Sequence, residues 1–515
     1  MDTLSRLIAG PKTNMVVQAT VPTDEILPVF FFDDTPMLRN AIMCWTMRFN
    51  DVLDPDMLHR SLARLLDRGD GWRKLRGRLR LNQHHRLEIH VPRCSSPERP
   101  AVTFSHVSIE TSIDEDPLAS RLPRPTRSPS LQANHGDFKS LGISPGAPRT
   151  MDDYLAADAP QLTLHVVSFT DATLVSLTWP HVSSDGVGLR HLVEAWSLVL
   201  AGRDDEVLPM LTEDPMATAG LDPRFQERHL LEKQHMKGWR ILVWGLRYLL
   251  DIAWWPRMET RTIYLPRAAC ERMRADAMAS LARRSRETSA SFVSDGDVIA
   301  AWISCMAAKE LSASSKRSVV ITTPVDVRSR MPSLFNKETE GVHVLNAAPI
   351  VSTVINAQDM LSGDDATART AQSLRRSLLM QTSEGQLHAL NRHERTSLAE
   401  NGLPALFGDM SSFVVILSNM TKARFVEALD FGPAVRAGSS RLRGRWSEPL
   451  DHASAPGRLV YYHMQGLGDE NVFMRNNFFV FGMPGGDYWI NGSLPPAIWD
   501  EVRGSLSSMK MGVCD

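Results

Sequence analysis

Apolar residues recur along this chain with two periods, one of two residues and one of three to four. Gln161 to Phe169 sets Leu162, Leu164 and Val166 on one face at period two, as a half-buried strand does. Thr170-Asp171-Ala172 supplies a turn, and Thr173 to Trp179 forms a second strand. Pro180 ends it, because proline has no N–H for a ladder. From Leu189 the period changes: Leu192, Val193, Trp196, Val199 and Leu200 fall at helical spacing, and Gly202 marks the stop. His181, Asp185 and Gly186 lie at this strand-to-helix junction as an HxxxDG pattern, where a rigid scaffold can aim a side chain into a cleft. A histidine taken singly is more often a packing or surface residue; its junction singles this one out among 16.

The same two periods organise the rest. Ile26 to Phe32 and Ala41 to Phe49 read as early strands, and Asp54-Pro55 opens a helix with an acid at the N-cap and proline behind it. Leu75 to Leu81 and Leu87 to Val91 read as strands, and residues 111–150, without a clear period, as a long surface loop. Further on, Arg261 to Leu265 is strand-like and Ala268 to Leu281 helical. Ser294 caps a helix with Asp297 at its third position. Ser318 to Thr322 and Met410 to Leu417 read as strands, as do runs at 458–464, 477–481 and 487–491, before a last helix opened by Pro495-Pro496. Trp239 to Trp255 is interrupted by Arg240, Arg247 and Asp251, so it predicts no spanning helix. It reads as an amphipathic helix packed on the protein, with contact at a membrane surface the alternative.

At 515 residues the chain exceeds one core, which predicts two domains. A net charge of −2 gives no reason to expect nucleic acid. The basic run Arg73, Lys74, Arg76, Arg78 and Arg80 reads as a solvated strand and turn. Five scattered cysteines without a CxxC pair argue against a disulfide framework or zinc site, and for a reducing compartment. His84, His85 and His90 have no acidic or cysteine ligands at a recognisable spacing, so no metal is expected. Met1 to Pro11 lacks the apolar core of a signal peptide, and the expected location is cytoplasmic.

The strand pair followed by Pro-His-Val-Ser-Ser-Asp-Gly at 180–186, with Asp430-Phe-Gly432 far downstream, resembles the BAHD acyltransferases. Gly77-Arg-Leu-Arg80 and Val325-Asp-Val-Arg-Ser-Arg330 resemble further runs of that family. The chain departs from it at Pro433-Ala434, where the family has Trp-Gly, and lacks a Thr-Ser-Trp near residue 418. The resemblance implies an α/β fold of two chloramphenicol-acetyltransferase-like domains, each a mixed β-sheet flanked by helices, with the active-site channel between them. The boundaries expected are residues 1–215, a crossover at 216–258, and 259–515. It also implies an acyl-CoA-dependent O-acyltransferase of a fungal secondary-metabolite branch, acetylating a hydroxyl of a terpenoid or polyketide. Acetyl-CoA would be a co-substrate, with no permanently bound cofactor. The partners expected are a small-molecule acceptor alcohol and acyl-CoA, with no nucleic acid, no stable membrane insertion and a monomeric state.

The chemistry fits these residues. A thioester expels a thiolate whose conjugate acid has a pKa of about 8.5, so the slow part is attack by a weakly acidic hydroxyl. A neutral imidazole that takes the hydroxyl proton contributes roughly 10²–10⁴ in rate, and His181 is the candidate base, in a ternary complex. Asp185 invites comparison with a triad carboxylate; the resemblance instead turns it away to pair with Arg328, or failing that Arg330. Gly186 is read as a turn or close-approach glycine, and Asp430 and Gly432 as shaping the second domain. Ser418 or Asn419 would face the acceptor. Ser294 would lie beside the coenzyme, capping being its other reading. The alternatives are N-acylation, transfer from a carrier protein in the same cleft, or ligand binding without catalysis. The related condensation domains of peptide synthetases use HHxxxDG, and Pro180 stands where their first histidine would be.

Overall fold

A computed structural model of the chain describes residues 20–284, 292–336, 338–437, 455–467 and 475–511. Met1 to Pro11 and Cys514 lie outside the described residues. In chain order the strands are β1 (Glu25–Pro28), β2 (Ile42–Phe49), β3 (Arg78–Leu81), β4 (Leu87–Val91), β5 (Thr103–Ser108), β6 (Ser130–Gln132), β7 (Thr163–Ser168) and β8 (Thr173–Pro180). They continue as β9 (Glu259–Leu265), β10 (Ser318–Pro324), β11 (Ile350–Asn356), β12 (Phe413–Asn419), β13 (Leu459–Gly466), β14 (Asn477–Gly482) and β15 (Tyr488–Leu494). The longer helices are α1 (Pro55–Leu66), α2 (Gly186–Leu200), α3 (Trp239–Trp254), α4 (Arg267–Arg284), α5 (Asp295–Ala308), α6 (Ala366–Gln381), α7 (Glu384–Asn401) and α8 (Pro496–Met511).

Two mixed sheets carry the two-domain architecture, in the orders β13-β2-β8-β7-β5 and β11-β10-β12-β14-β15-β9-β6. A small antiparallel sheet, β1-β4-β3, stands beside the first. Asp54 caps α1 by accepting from the Met57 amide at 2.9 Å, and the stripe Leu58, Leu62, Leu65 and Leu66 is buried. The Trp196 indole of α2 donates to Ser61 of α1 at 2.9 Å, so the two helices pack as a pair. Their apolar faces join Trp45, Phe49, Val166 and Val175 in the first core, while Ile303, Val319, Val415, Phe478 and Trp499 belong to the second.

Two strands cross the sequence division at 216–258. β13, from the C-terminal part, pairs antiparallel with β2, and β6, from the N-terminal part, pairs with β9. The alternation that identifies a strand does not say which sheet edge receives it. For the same reason residues 111–150 are not the long surface loop expected: they hold β6, a short helix Lys139–Gly142 and the buried Phe138. β7 is buried along its whole length rather than on one face, since α1 and the Lys139–Gly142 helix both contact it.

The basic run is also corrected. Lys74, Arg76, Arg78 and Arg80 are buried, not solvated. Arg76 pairs with Asp67 and donates to the Pro92 carbonyl, Arg78 donates to the carbonyls of Arg76 and Pro100, and Arg80 pairs with Asp158. The planar guanidinium, with its five donors, satisfies irregular backbone that no ladder reaches.

Candidate active site

β8 runs full length beside β2 and delivers Pro180 opposite Ile42. His181 then begins a single 3₁₀ turn, with its amide donating to the Ala41 carbonyl at 2.8 Å. Ser183 donates to the Gln161 side chain at 2.6 Å and the Trp179 indole to the Ser184 carbonyl at 3.3 Å, which fixes the turn from both sides. Asp185 is the N-cap of α2 and accepts from the Gly188 amide at 2.8 Å.

Asp185 faces Arg328. The guanidinium donates to both carboxylate oxygens, at 3.0 and 3.1 Å, and the Ala347 amide, at 2.9 Å, brings the donors to four with that of Gly188. Arg328 is itself held by Asp326 at 2.7 Å and the Leu345 carbonyl at 3.0 Å. Arg330 reaches back to the Asp326 carbonyl. Burial alone would push the Asp185 carboxyl up; the Arg328 charge and hydrogen bonds, with the Gly188 and Ala347 amides, outweigh it and hold the group below the usual carboxylate range.

The His181 ring is in a different setting. Its Nδ1 is buried and meets no partner of good geometry among the described residues. Burial lowers its pKa, and the opposing influences of its own backbone, Asp185 and Asn346 do not restore it. The imidazole is therefore neutral at neutral pH. Asn346 is a residue that the sequence patterns do not single out. Its side-chain amide donates at 2.8 Å to the His181 carbonyl and at 2.8 Å to Asp33, which also accepts from the Asn346 backbone amide at 2.7 Å. Burial raises the Asp33 carboxyl to about 7, against the pull of Lys74 and Asn346. The one sequence signal for Asp33 is an acid set directly behind Phe30-Phe31-Phe32, where the apolar run gives way to Asp33-Asp34-Thr35.

The second sheet reaches this turn through the end of β12. Met420, the residue after Asn419, packs its methyl end where a Cβ on Gly186 would sit. Gly186 has no left-handed φ, so a turn conformation does not explain it. Gly188 is the position enclosed by backbone: a Cβ there would overlap the Ser184 hydroxyl oxygen and lie 3.2 Å from Val344 Cα and 3.3 Å from the Leu345 nitrogen. Asn419 accepts from the Thr421 amide and hydroxyl, at 3.1 and 2.6 Å, and its side-chain nitrogen would stand 2.8 Å from a Cβ on Gly296 at the start of α5. Ser294 caps α5 in a reciprocal box with Asp297, its hydroxyl 2.7 Å from that carboxylate.

Asp430 and Gly432 lie elsewhere. The Asp430 amide donates to Ser197 in the last turn of α2, its carboxylate pairs with Arg458 at 2.9 Å, and it accepts from the Gly432 amide at 2.9 Å. Phe431 is buried against Phe49 and Trp196. Ser197 stands twelve positions beyond Asp185 along α2, about 18 Å at the usual rise. A cavity of about 480 Å³, lined by Lys74, Met210, Asp214 and His343 among others, touches this network through His343, whose carbonyl accepts from Arg328.

Residues 148–434 match the Transferase family. The O-acetyltransferase PaAT-2 of Phomopsis amygdali is 36% identical over 506 residues, covering 96% of this chain and 99% of that protein. The acetyltransferase BOT5 of Botryotinia fuckeliana is 36% identical over 507 residues, covering 95% and 91%. The fold is similar to that of F. sporotrichioides TRI101 complexed with coenzyme A and T-2, with a TM-score of 0.58 at 15% identity and coverage of 93% and 97%.

Proposed function

The chain belongs to the Transferase family of BAHD acyltransferases, and on that premise we propose that it is an acyl-CoA-dependent O-acetyltransferase acting on a hydroxyl of a small secondary metabolite, with His181 as general base. The observation that carries this reading is the division of labour between two neighbours. Asp185 has both oxygens engaged by Arg328 and backbone amides, which leaves His181 as a neutral imidazole free of a carboxylate partner. The name of PaAT-2 supports O-acetylation, and coenzyme A bound to TRI101 supports the donor.

With Nδ1 buried, Nε2 is the nitrogen that meets the acceptor. As the acceptor oxygen bonds to the thioester carbonyl carbon, its proton passes to Nε2. The tetrahedral intermediate then collapses, the carbon–sulfur bond breaks, and the imidazolium returns the proton to the departing thiolate. The base is restored without an acyl-enzyme. Ser418 or Asn419 is assigned to the acceptor side, one of the two rather than both, because neighbouring residues at the end of β12 face opposite sides of the sheet. The Ser294 hydroxyl is engaged with Asp297, so coenzyme contact at the start of α5 would fall to its backbone. The enzyme acts in the cytoplasm as a monomer.

The test is release of CoA thiol from acetyl-CoA with a panel of hydroxylated terpenoids and polyketides. His181→Ala should lose roughly 10²–10⁴ of acceptor-dependent rate while keeping its fold. Equal release by the two proteins would remove His181 as the base.

A further inference from the structure

Helix α3 presents its polar contacts to the protein and its apolar stripe to the outside. On the inner side the Trp244 indole donates to the Ser412 carbonyl at 3.1 Å, and Asp251 pairs with Arg317 through bonds of 2.6 and 2.9 Å. Arg475 donates to the Asp251 and Trp255 carbonyls, both at 3.0 Å. On the outer side Trp239, Leu242, Leu246, Leu249, Leu250 and Trp254 form one exposed stripe, with Leu242 70% and Trp254 80% accessible. A helix on a globular protein ordinarily turns such a stripe inward. A contiguous apolar patch turned outward marks a surface that something covers.

Charge says what covers it. Between residues 237 and 257 stand four basic residues, Lys237, Arg240, Arg247 and Arg257, and a single acid, Asp251, which is turned inward onto Arg317. Arg240 and Arg247, seven residues apart, run along one edge of the stripe at helical spacing. Tryptophans stand at both ends, as they do at the level of lipid headgroups. No helix among the described residues is long and apolar enough to cross a membrane, and the inner contacts hold α3 flat on the protein. Asp409, from outside the segment, acts on Arg240, but the segment itself stays net positive, a charge that a second copy would repeat rather than oppose.

We propose that α3 seats the enzyme on an anionic membrane surface, with the stripe in the boundary between headgroups and acyl chains and the arginines among the phosphates. Ser412, where Trp244 is anchored, precedes β12, and the far end of that strand carries Ser418 and Asn419. The seat is therefore about 20 Å from the reacting end of the strand, so occupying it leaves the site open.

Flotation of the full chain with phosphatidylcholine vesicles, with and without phosphatidylserine, tests the seat without relying on any activity. The wild type should float with the phosphatidylserine vesicles. The triple variant Leu242→Ser, Leu246→Ser, Leu250→Ser should partition at least about tenfold more weakly with unchanged far-ultraviolet circular dichroism. Arg240→Ser with Arg247→Ser should abolish the preference for phosphatidylserine. The proposal is overturned if the wild type stays off both vesicles, or if the triple variant floats as the wild type does. It is equally overturned if sedimentation shows a wild-type dimer that the triple variant converts to monomer, which would give the face to a second copy.

Discussion

Arg328 grips Asp185 with two nitrogens, 3.0 and 3.1 Å from its two oxygens, joining the turn after β8 to the segment after β10. Both side chains are largely withdrawn from water, at 11% and 7% exposure. Removing the guanidinium strands a buried carboxylate on two amide donors. Arg328→Ala should therefore lower unfolding free energy by about 3–5 kcal/mol in denaturant titration and lower kcat with it. Arg328→Lys should recover part of the stability, since an ammonium supplies charge without the planar fork.

The His181 pKa is depressed from 6.5 by burial. A general base works in its neutral form, so kcat/KM should hold level through neutrality and fall only as pH drops below 6.5. A pH–rate profile checks the sign. An acid limb centred above 6.5 would show a base more exposed than His181.

Asn346 ties the His181 carbonyl to Asp33. Asn346→Ala should cost about 1–3 kcal/mol of stability, because buried Asp33 loses the side-chain donor and keeps only the backbone amide of residue 346 from this pair. It should also lower kcat roughly tenfold with little change in KM, because the His181 turn loses a tether and the base is displaced from its geometry. Steady-state kinetics separates the two parameters.

The two glycines at the start of α2 should respond differently to a methyl. At Gly188 the new carbon presses on the Val344 and Leu345 backbone, and the Ser184 hydroxyl must also move. Gly188→Ala should cost about 1–3 kcal/mol. At Gly186 only the methyl end of Met420 has to swing aside, and alanine favours the helix, so Gly186→Ala should be nearly neutral in a thermal melt.

Residues close in sequence revealed themselves by pattern. The helical spacing from Leu189 to Leu200, the acid-proline start of α1 and the capping box at Ser294 and Asp297 are local events, set by backbone donors within a few residues, and each stands in the fold. The strand runs around β8 and β12 were legible for the same reason. The HxxxDG and DFG patterns, taken together, pointed to the acyltransferase family to which the chain belongs. What residues far apart do to one another was not legible. That β13 closes the first sheet, and that β6 closes the second, depends on which edge lacks a partner, and no local period encodes that. The burial of Arg76, Arg78 and Arg80 depends on carbonyls supplied by other segments. The roles of Gly188 and Asn346 come from backbone approaches across more than 150 residues, and the outward stripe of α3 from where its polar side found partners. Periodicity records what a segment can bury; only the assembled fold decides which side it does bury, and against what.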